Sequence, residues 1–197
     1  MKRLLMLLVL LCFAAPSFAL TGVTLGIRGG MVTNYDQDAL TLPGADLGDM
    51  NLVGGQVKFT TLPMFDVLIA GDYAWKNQSQ AYGSDVFELK RHDFVFSATA
   101  LYPIKFTLVS PYLGGGLSSH TLGFDYTRPL SLSLEDNDIA VPENESRLGY
   151  HLVGGAEVAP PAFPLTFTAE YRLNWIDTPV KVTKYNSISV SANFKLP

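Results

Sequence analysis

The 197-residue chain has a net charge of −4, is 48 % hydrophobic and holds one cysteine, Cys12. An acidic balance gives nucleic acid nothing basic to grip. Cys12 falls in the leader described next, so disulfides, cysteine zinc sites and a cysteine nucleophile are excluded from the mature chain.

Lys2 and Arg3 form a positive start, Leu4 to Ala15 an apolar run, and Ser17-Phe18-Ala19 a small-residue cleavage site. This pattern predicts a secretory signal peptide over residues 1–19, cut after Ala19. The run falls short of the roughly 20 apolar residues a spanning helix needs. Leu11 stands before Cys12 where a lipoprotein signal needs a small residue. The mature chain, residues 20–197, keeps 12 basic and 18 acidic residues and is expected to form one domain.

From here apolar and polar residues alternate in segments of about ten, the signature of a transmembrane β-barrel. The first strand runs from about Gly22 to Val32, with Arg28 on its polar face. The second, near Leu52 to Thr60, turns Gln56 and Lys58 inward. In the third, Asp66, Ala70, Asp72 and Lys76 alternate with Phe65, Val67, Ile69, Gly71, Tyr73 and Trp75, and Leu68 is the apolar exception on the polar face. The fourth, about Val86 to Tyr102, turns Arg91, Asp93, Ser97 and Thr99 inward and Phe94, Phe96, Ala98 and Ala100 outward. The fifth opens at Pro111 and passes through Gly114-Gly115-Gly116. The sixth, about Leu148 to Val158, places His151 and Glu157 inward. The seventh sets Thr166, Thr168, Glu170, Arg172 and Asn174 against Leu165, Phe167, Ala169, Tyr171, Leu173 and Trp175. The last sets Ser187, Ser189, Ser191, Asn193 and Lys195 against Ile188, Val190, Ala192, Phe194 and Leu196.

Short proline-rich connections (61–64, 103–110, 159–164) alternate with longer polar ones (33–49, 77–85, 121–147, 177–183). Tight turns at one end and long loops at the other are the asymmetry of outer-membrane barrels. Three turns and four loops give an all-β, eight-stranded antiparallel up-and-down transmembrane β-barrel. Tyr73, Trp75, Tyr102, Tyr171 and Trp175 are read as an aromatic girdle at the strand ends. Leu52-Val53-Gly54-Gly55 recurs as Leu152-Val153-Gly154-Gly155. The repeat conflicts with the faces, since Gly54 points inward if Lys58 does while Gly154 points outward if Glu157 points in.

The mature chain resembles the small OmpA/OmpX-type and OmpW-like outer-membrane barrel families. The resemblance rests on Pro111-Tyr112-Leu113-Gly114-Gly115-Gly116-Leu117, Gly154-Gly155-Ala156-Glu157 and Ala169-Glu170-Tyr171-Arg172. It implies residence in the outer membrane of a Gram-negative envelope, among its lipid and lipopolysaccharide, after delivery by periplasmic chaperones. Phe194 and Leu196 resemble the terminal signal read by the barrel-assembly machinery, although the chain closes on Pro197 instead of an aromatic residue. Fold alone assigns no activity.

An eight-stranded barrel is just wide enough for side chains to fill. Charges there must pair, so Arg28, Lys58, Arg91 and Arg172 are expected to meet Asp66, Asp72, Asp93, Glu157 and Glu170 as a plug. Leu68, Val95 and Leu101 are the only inward apolar candidates of the middle strands. Lipid A deacylases of similar size use a His-x-Ser pair. The nearest match, Ser118-Ser119-His120, has that order reversed, with His120 read as an exposed residue at a strand end. No catalytic residue, metal site or cofactor is assigned, because three scattered histidines fit no zinc spacing. The loops carry Asp36, Asp38, Asp46 and Asp49, then Glu135, Asp136, Asp138, Glu143 and Glu145, read as a solvated acidic surface. Two functions stand: a structural or surface-interaction protein working through these loops with an unknown surface partner, or a passive conduit for small apolar molecules.

Overall fold

The computed structural model describes residues 22–35, 49–60, 62, 64–82, 85–104, 106, 108–126, 145–161, 163–177 and 182–196. The leader and most of the acidic loop residues lie outside these. Eight strands follow in order: β1 (Val23–Thr33), β2 (Met50–Phe59), β3 (Asp66–Tyr82), β4 (Asp85–Pro103), β5 (Val109–Tyr126), β6 (Glu145–Val158), β7 (Leu165–Ile176) and β8 (Thr183–Lys195). Each pairs antiparallel with the next, and β8 closes on β1, so the barrel has no free edge. Closure satisfies every ladder, which a bilayer demands of any spanning sheet.

The period of two carries through each wall. On β7 the pattern from Thr166 to Asn174 is strictly buried then exposed. The inner face is polar, with Arg28, Asp72, Asp93, Glu170, Arg172 and Asn193 all buried. The outer face is apolar: Ile27, Phe94, Phe96, Leu113, Leu117, Leu152, Phe167 and Val190 are exposed. A water-soluble barrel would show the opposite polarity.

Several expected boundaries move, and the sixth strand begins at Glu145 instead of about Leu148. Residues 77–82 are not loop, because β3 and β4 stay paired out to Tyr82 and Asp85. The fifth strand starts at Val109, before Pro111, and continues to Tyr126. Sequence pattern missed these extensions because a strand projecting past the bilayer has no lipid-facing side to keep apolar. β4 has 19 residues, against the ~9–11 that span a bilayer.

The Leu-Val-Gly-Gly repeat resolves into two opposite orientations. The registers of β2 on β3 and of β6 on β7 run without a skipped residue. Leu52 is buried, whereas Leu152 is 56 % exposed. The two stretches are therefore not structural equivalents, and no bulge reconciles them.

The interior is also more apolar than the sequence reading allowed. Leu68, Val95 and Leu101 do face in, but so do two further groups. Val32, Tyr35, Met50, Leu52, Ala74, Ile176 and Tyr185 cluster at the loop end. Tyr112 and Val153 join Leu68 and Leu101 nearer the turns. Val32, Met50 and Ile176 of the loop-end group escaped notice because they lie at the ends of their strands, where the alternation runs out.

Candidate functional site

The charged layer lies between those two apolar clusters. Arg28 Nε is 3.2 Å from Asp72 Oδ1 and Arg28 Nη2 is 3.3 Å from Glu170 Oε2. Arg28 Nη2 also donates to Ser189 Oγ at 2.9 Å. Arg172 Nη2 approaches the same Glu170 oxygen at 3.3 Å, and its Nη1 donates to Ser97 Oγ at 3.3 Å. Tyr112 donates its hydroxyl to Glu170 Oε1 at 3.0 Å. Gln56 Nε2 donates to Asn193 Oδ1 at 2.6 Å and to Ser191 Oγ at 3.0 Å. Arg28 Nη1 also donates to Gln56 Oε1 at 3.4 Å, so one connected set of polar contacts ties β1, β2, β3, β4, β5, β7 and β8 across the lumen.

Inward glycines make several of these contacts possible. Gly54 is in register between Arg28 and Asp72. Gly155 is in register between Tyr112 and Glu170. Gly116 is in register between Thr99 and His151, which bond at 2.8 Å. A methyl group would meet the Tyr112 hydroxyl at 2.6 Å from Gly155, and the His151 ring at 2.8 Å from Gly116. Each glycine is a gap in the middle strand through which side chains of the two flanking strands touch.

His120 corrects the expectation of an exposed residue. It is fully buried. Its Nδ1 lies 2.9 Å from Asp93 Oδ2 and its Nε2 2.9 Å from Ser118 Oγ. Serine, imidazole and carboxylate in series are the ingredients of nucleophilic catalysis. The adjoining cavity, lined by Ser118, Asp93, His151 and Arg172, has only about 10 Å³, room for about one water. Tyr185 packs edge-on against His120 and stacks on Tyr35 at 5.5 Å, closing the side toward the loops. In this closed state no acyl substrate reaches Ser118, and the trio satisfies buried polar groups.

The other predicted interior residues fall on either side of this layer. Arg91 is buried with its guanidinium carbon 3.7 Å above the Tyr35 ring. That arrangement joins a cation to an aromatic face, a partner that charge-pairing logic did not supply. Asp93 takes His120. At the turn end Lys58 on β2 pairs with Glu157 on β6, two strands on opposite sides of the wall. This pair lines a vestibule of about 310 Å³ with Asp66, Leu68, Leu101 and Tyr112. Its polar floor is Glu170, held by Arg28 and Arg172.

On the outer wall Tyr73 and Tyr102 are exposed, and Trp75 and Trp175 stack on Tyr73 and Tyr150. Tyr171 faces outward too, but from the middle of β7 instead of its end. The turn-end rim is phenylalanine-rich, with Phe65, Phe106, Phe163 and Phe194 all exposed. Leu196 closes the seam through its backbone N–H to Val23 O at 2.9 Å. Among the described residues no group of three histidine, cysteine or acidic side chains could hold a metal ion.

A family model described as outer membrane protein beta-barrel domain matches residues 5–195. No curated protein sequence matches the chain. Among solved structures, the chain is similar to Neisserial surface protein A at 17 % identity, covering 88 % of this chain and 96 % of that one, with a TM-score of 0.53. It is similar to Ail, the attachment invasion locus protein of Yersinia pestis, solved with the heparin analogue sucrose octasulfate, at 13 % identity, 89 % and 99 % coverage and a TM-score of 0.54. OprG from Pseudomonas aeruginosa matches at 13 % identity, 89 % and 97 % coverage and a TM-score of 0.53. At these identities the likeness is one of fold.

Proposed function

The chain belongs to the outer membrane protein β-barrel domain family and resides in the outer membrane, and from that premise we propose that it is a closed, non-enzymatic barrel with a structural or surface-interaction role exercised through its acidic outer loops. The observation that carries this reading is the packed lumen. Charged groups from opposite walls meet at its centre, the vestibule is blind at Glu170, and the Tyr35–Tyr185 pair covers the loop side. A conduit for apolar molecules needs a continuous apolar lining, and here charged side chains cross the path. Two structural neighbours, a surface protein and an attachment invasion locus protein, are in keeping with a surface role. The working residues are then those of segments 36–48 and 127–144. Delivery by periplasmic chaperones, insertion by the assembly machinery through Phe194 and Leu196, and removal of residues 1–19 complete the proposal.

The test has two parts. Refolded protein in a planar lipid bilayer, with folding confirmed by heat-dependent gel mobility, is expected to stay silent. Steady discrete openings would overturn the plug. Cells carrying the barrel with residues 127–144 replaced by a Gly-Ser linker are expected to lose attachment to matrix-coated surfaces. Unchanged attachment, with the barrel still folded, removes the loop reading.

A further inference from the structure

The outward face of β3, β4 and β5 changes character at its loop end. Going up β4, the outward residues are Phe96, Phe94, His92 and Lys90. Phe96 and Phe94 are more than half exposed and belong to the apolar belt. His92 is in register with Trp75 on one side and Gly123 on the other, and Lys90 with Asn77 and Asp125. A row of Trp75, His92 and Gly123 and, above it, a polar row of Asn77, Lys90 and Asp125 therefore sit directly above the belt, at the height where headgroups meet the wall.

These residues enclose a groove of about 470 Å³, lined by Tyr73, Trp75, Asn77, Lys90, His92 and Asp125. Its aromatic side is ordered. Tyr73 stacks on Trp75 at 5.7 Å between centroids and on His92 at 6.2 Å. Its floor is cut by Gly123, where any Cβ would run into the His92 ring. The imidazole thus lies across β5 only because that position has no side chain. His92 Nδ1 is 3.9 Å from Asp125 Oδ2, beyond hydrogen-bond distance. Lys90 is exposed beside it.

We propose that this groove binds the phosphorylated sugar headgroup of an outer-leaflet glycolipid. The Lys90 ammonium and the His92 ring N–H donate to phosphate oxygens, contacts that gain strength from charge. The faces of Tyr73 and Trp75, negative at the ring centre, receive the C–H face of the sugar. Acyl chains continue down over Phe94 and Phe96, which the register places directly below. The site lies on the outside of the wall, so it stands or falls independently of the loop reading above.

The test uses the full barrel folded in phospholipid nanodiscs, with retained lipid counted by native mass spectrometry. The probes are bis-phosphorylated lipid A, the same lipid dephosphorylated, and phosphatidylglycerol. Wild-type protein is expected to retain one lipid A preferentially. Lys90→Ala/His92→Ala is expected to weaken retention about tenfold, as for the loss of charge-assisted hydrogen bonds. Lys184→Ala, an exposed lysine beside Trp175 on the far wall, is expected to change nothing. Equal retention by the double variant, or equal retention of the dephosphorylated lipid, overturns the phosphate contacts. Equal retention of phosphatidylglycerol overturns the sugar contacts. An equal loss in Lys184→Ala reduces the effect to overall charge and overturns the site.

Discussion

Arg28→Met tests the interior most directly. The substitution keeps much of the side-chain volume and removes the guanidinium that lies 3.2 Å from Asp72 and 3.3 Å from Glu170. Glu170 still has Arg172 and the Tyr112 hydroxyl, whereas Asp72 loses the guanidinium at 3.2 Å. Leaving one buried carboxylate without its partner costs about 3–5 kcal/mol. The lost bond to Ser189 adds about 1 kcal/mol. With a urea slope of about 2 kcal/mol per molar, the unfolding midpoint drops by roughly 2–3 M. Arg28→Met/Asp72→Asn removes both charges and is expected to recover about half of that loss. The assay is urea titration of barrel reconstituted in lipid vesicles, read by the gel shift between folded and heat-unfolded forms. A single variant within about 0.5 M of wild type, or a double variant no more stable than Arg28→Met, refutes the argument that these charges are coupled.

Other expected outcomes follow from the same geometry. Arg172→Ala leaves Glu170 with Arg28 and the Tyr112 hydroxyl and is expected to lower the midpoint by less than Arg28→Met does, since Glu170 and Asp72 both keep Arg28; a larger drop measured in the same titration contradicts that order. Gly116→Ala presses a methyl on the His151 ring and the Ala98 carbonyl and is expected to cost about 1–3 kcal/mol. Gly29→Ala, whose methyl would have its nearest neighbour at 3.8 Å, is expected to stay near wild type, and equal behaviour of the two in urea defeats the glycine-gap account. Tyr35→Ala removes both the stack on Tyr185 and the face under Arg91. It is expected to cost about 1–3 kcal/mol and to speed hydrogen exchange at the loop end, with the vestibule end unaffected.

Much of the architecture was legible because a membrane barrel writes a two-residue period into every spanning segment. Lipid on one side and a crowded polar lumen on the other leave each side chain a single acceptable face. Thr166 to Asn174 and Ser187 to Asn193 show this in full, and the structure places those residues inward. The rule failed where its cause was absent. Past the bilayer, residues 77–82 and 121–126 have no lipid to avoid, so their alternation carried no signal and they read as loop. At the loop-end cap, Tyr185 and Ile176 are buried for packing and not for polarity, and the polar-inside rule misses such residues.

The sequence by itself determined the compartment expected, the number of strands and the face on which each charge lies. It named Arg28, Asp72, Glu170 and Arg172 as lumen residues, since a face assignment needs only the neighbours along one strand. It could not say who meets whom. That Arg28 reaches Asp72 past Gly54, that Tyr112 reaches Glu170 past Gly155, and that Ser118, His120 and Asp93 form one chain all depend on the stagger between strands. Stagger is set when eight segments close into a ring, because each register must agree with its two neighbours at once. Closure is a property of the whole wall, and only the tertiary structure holds it.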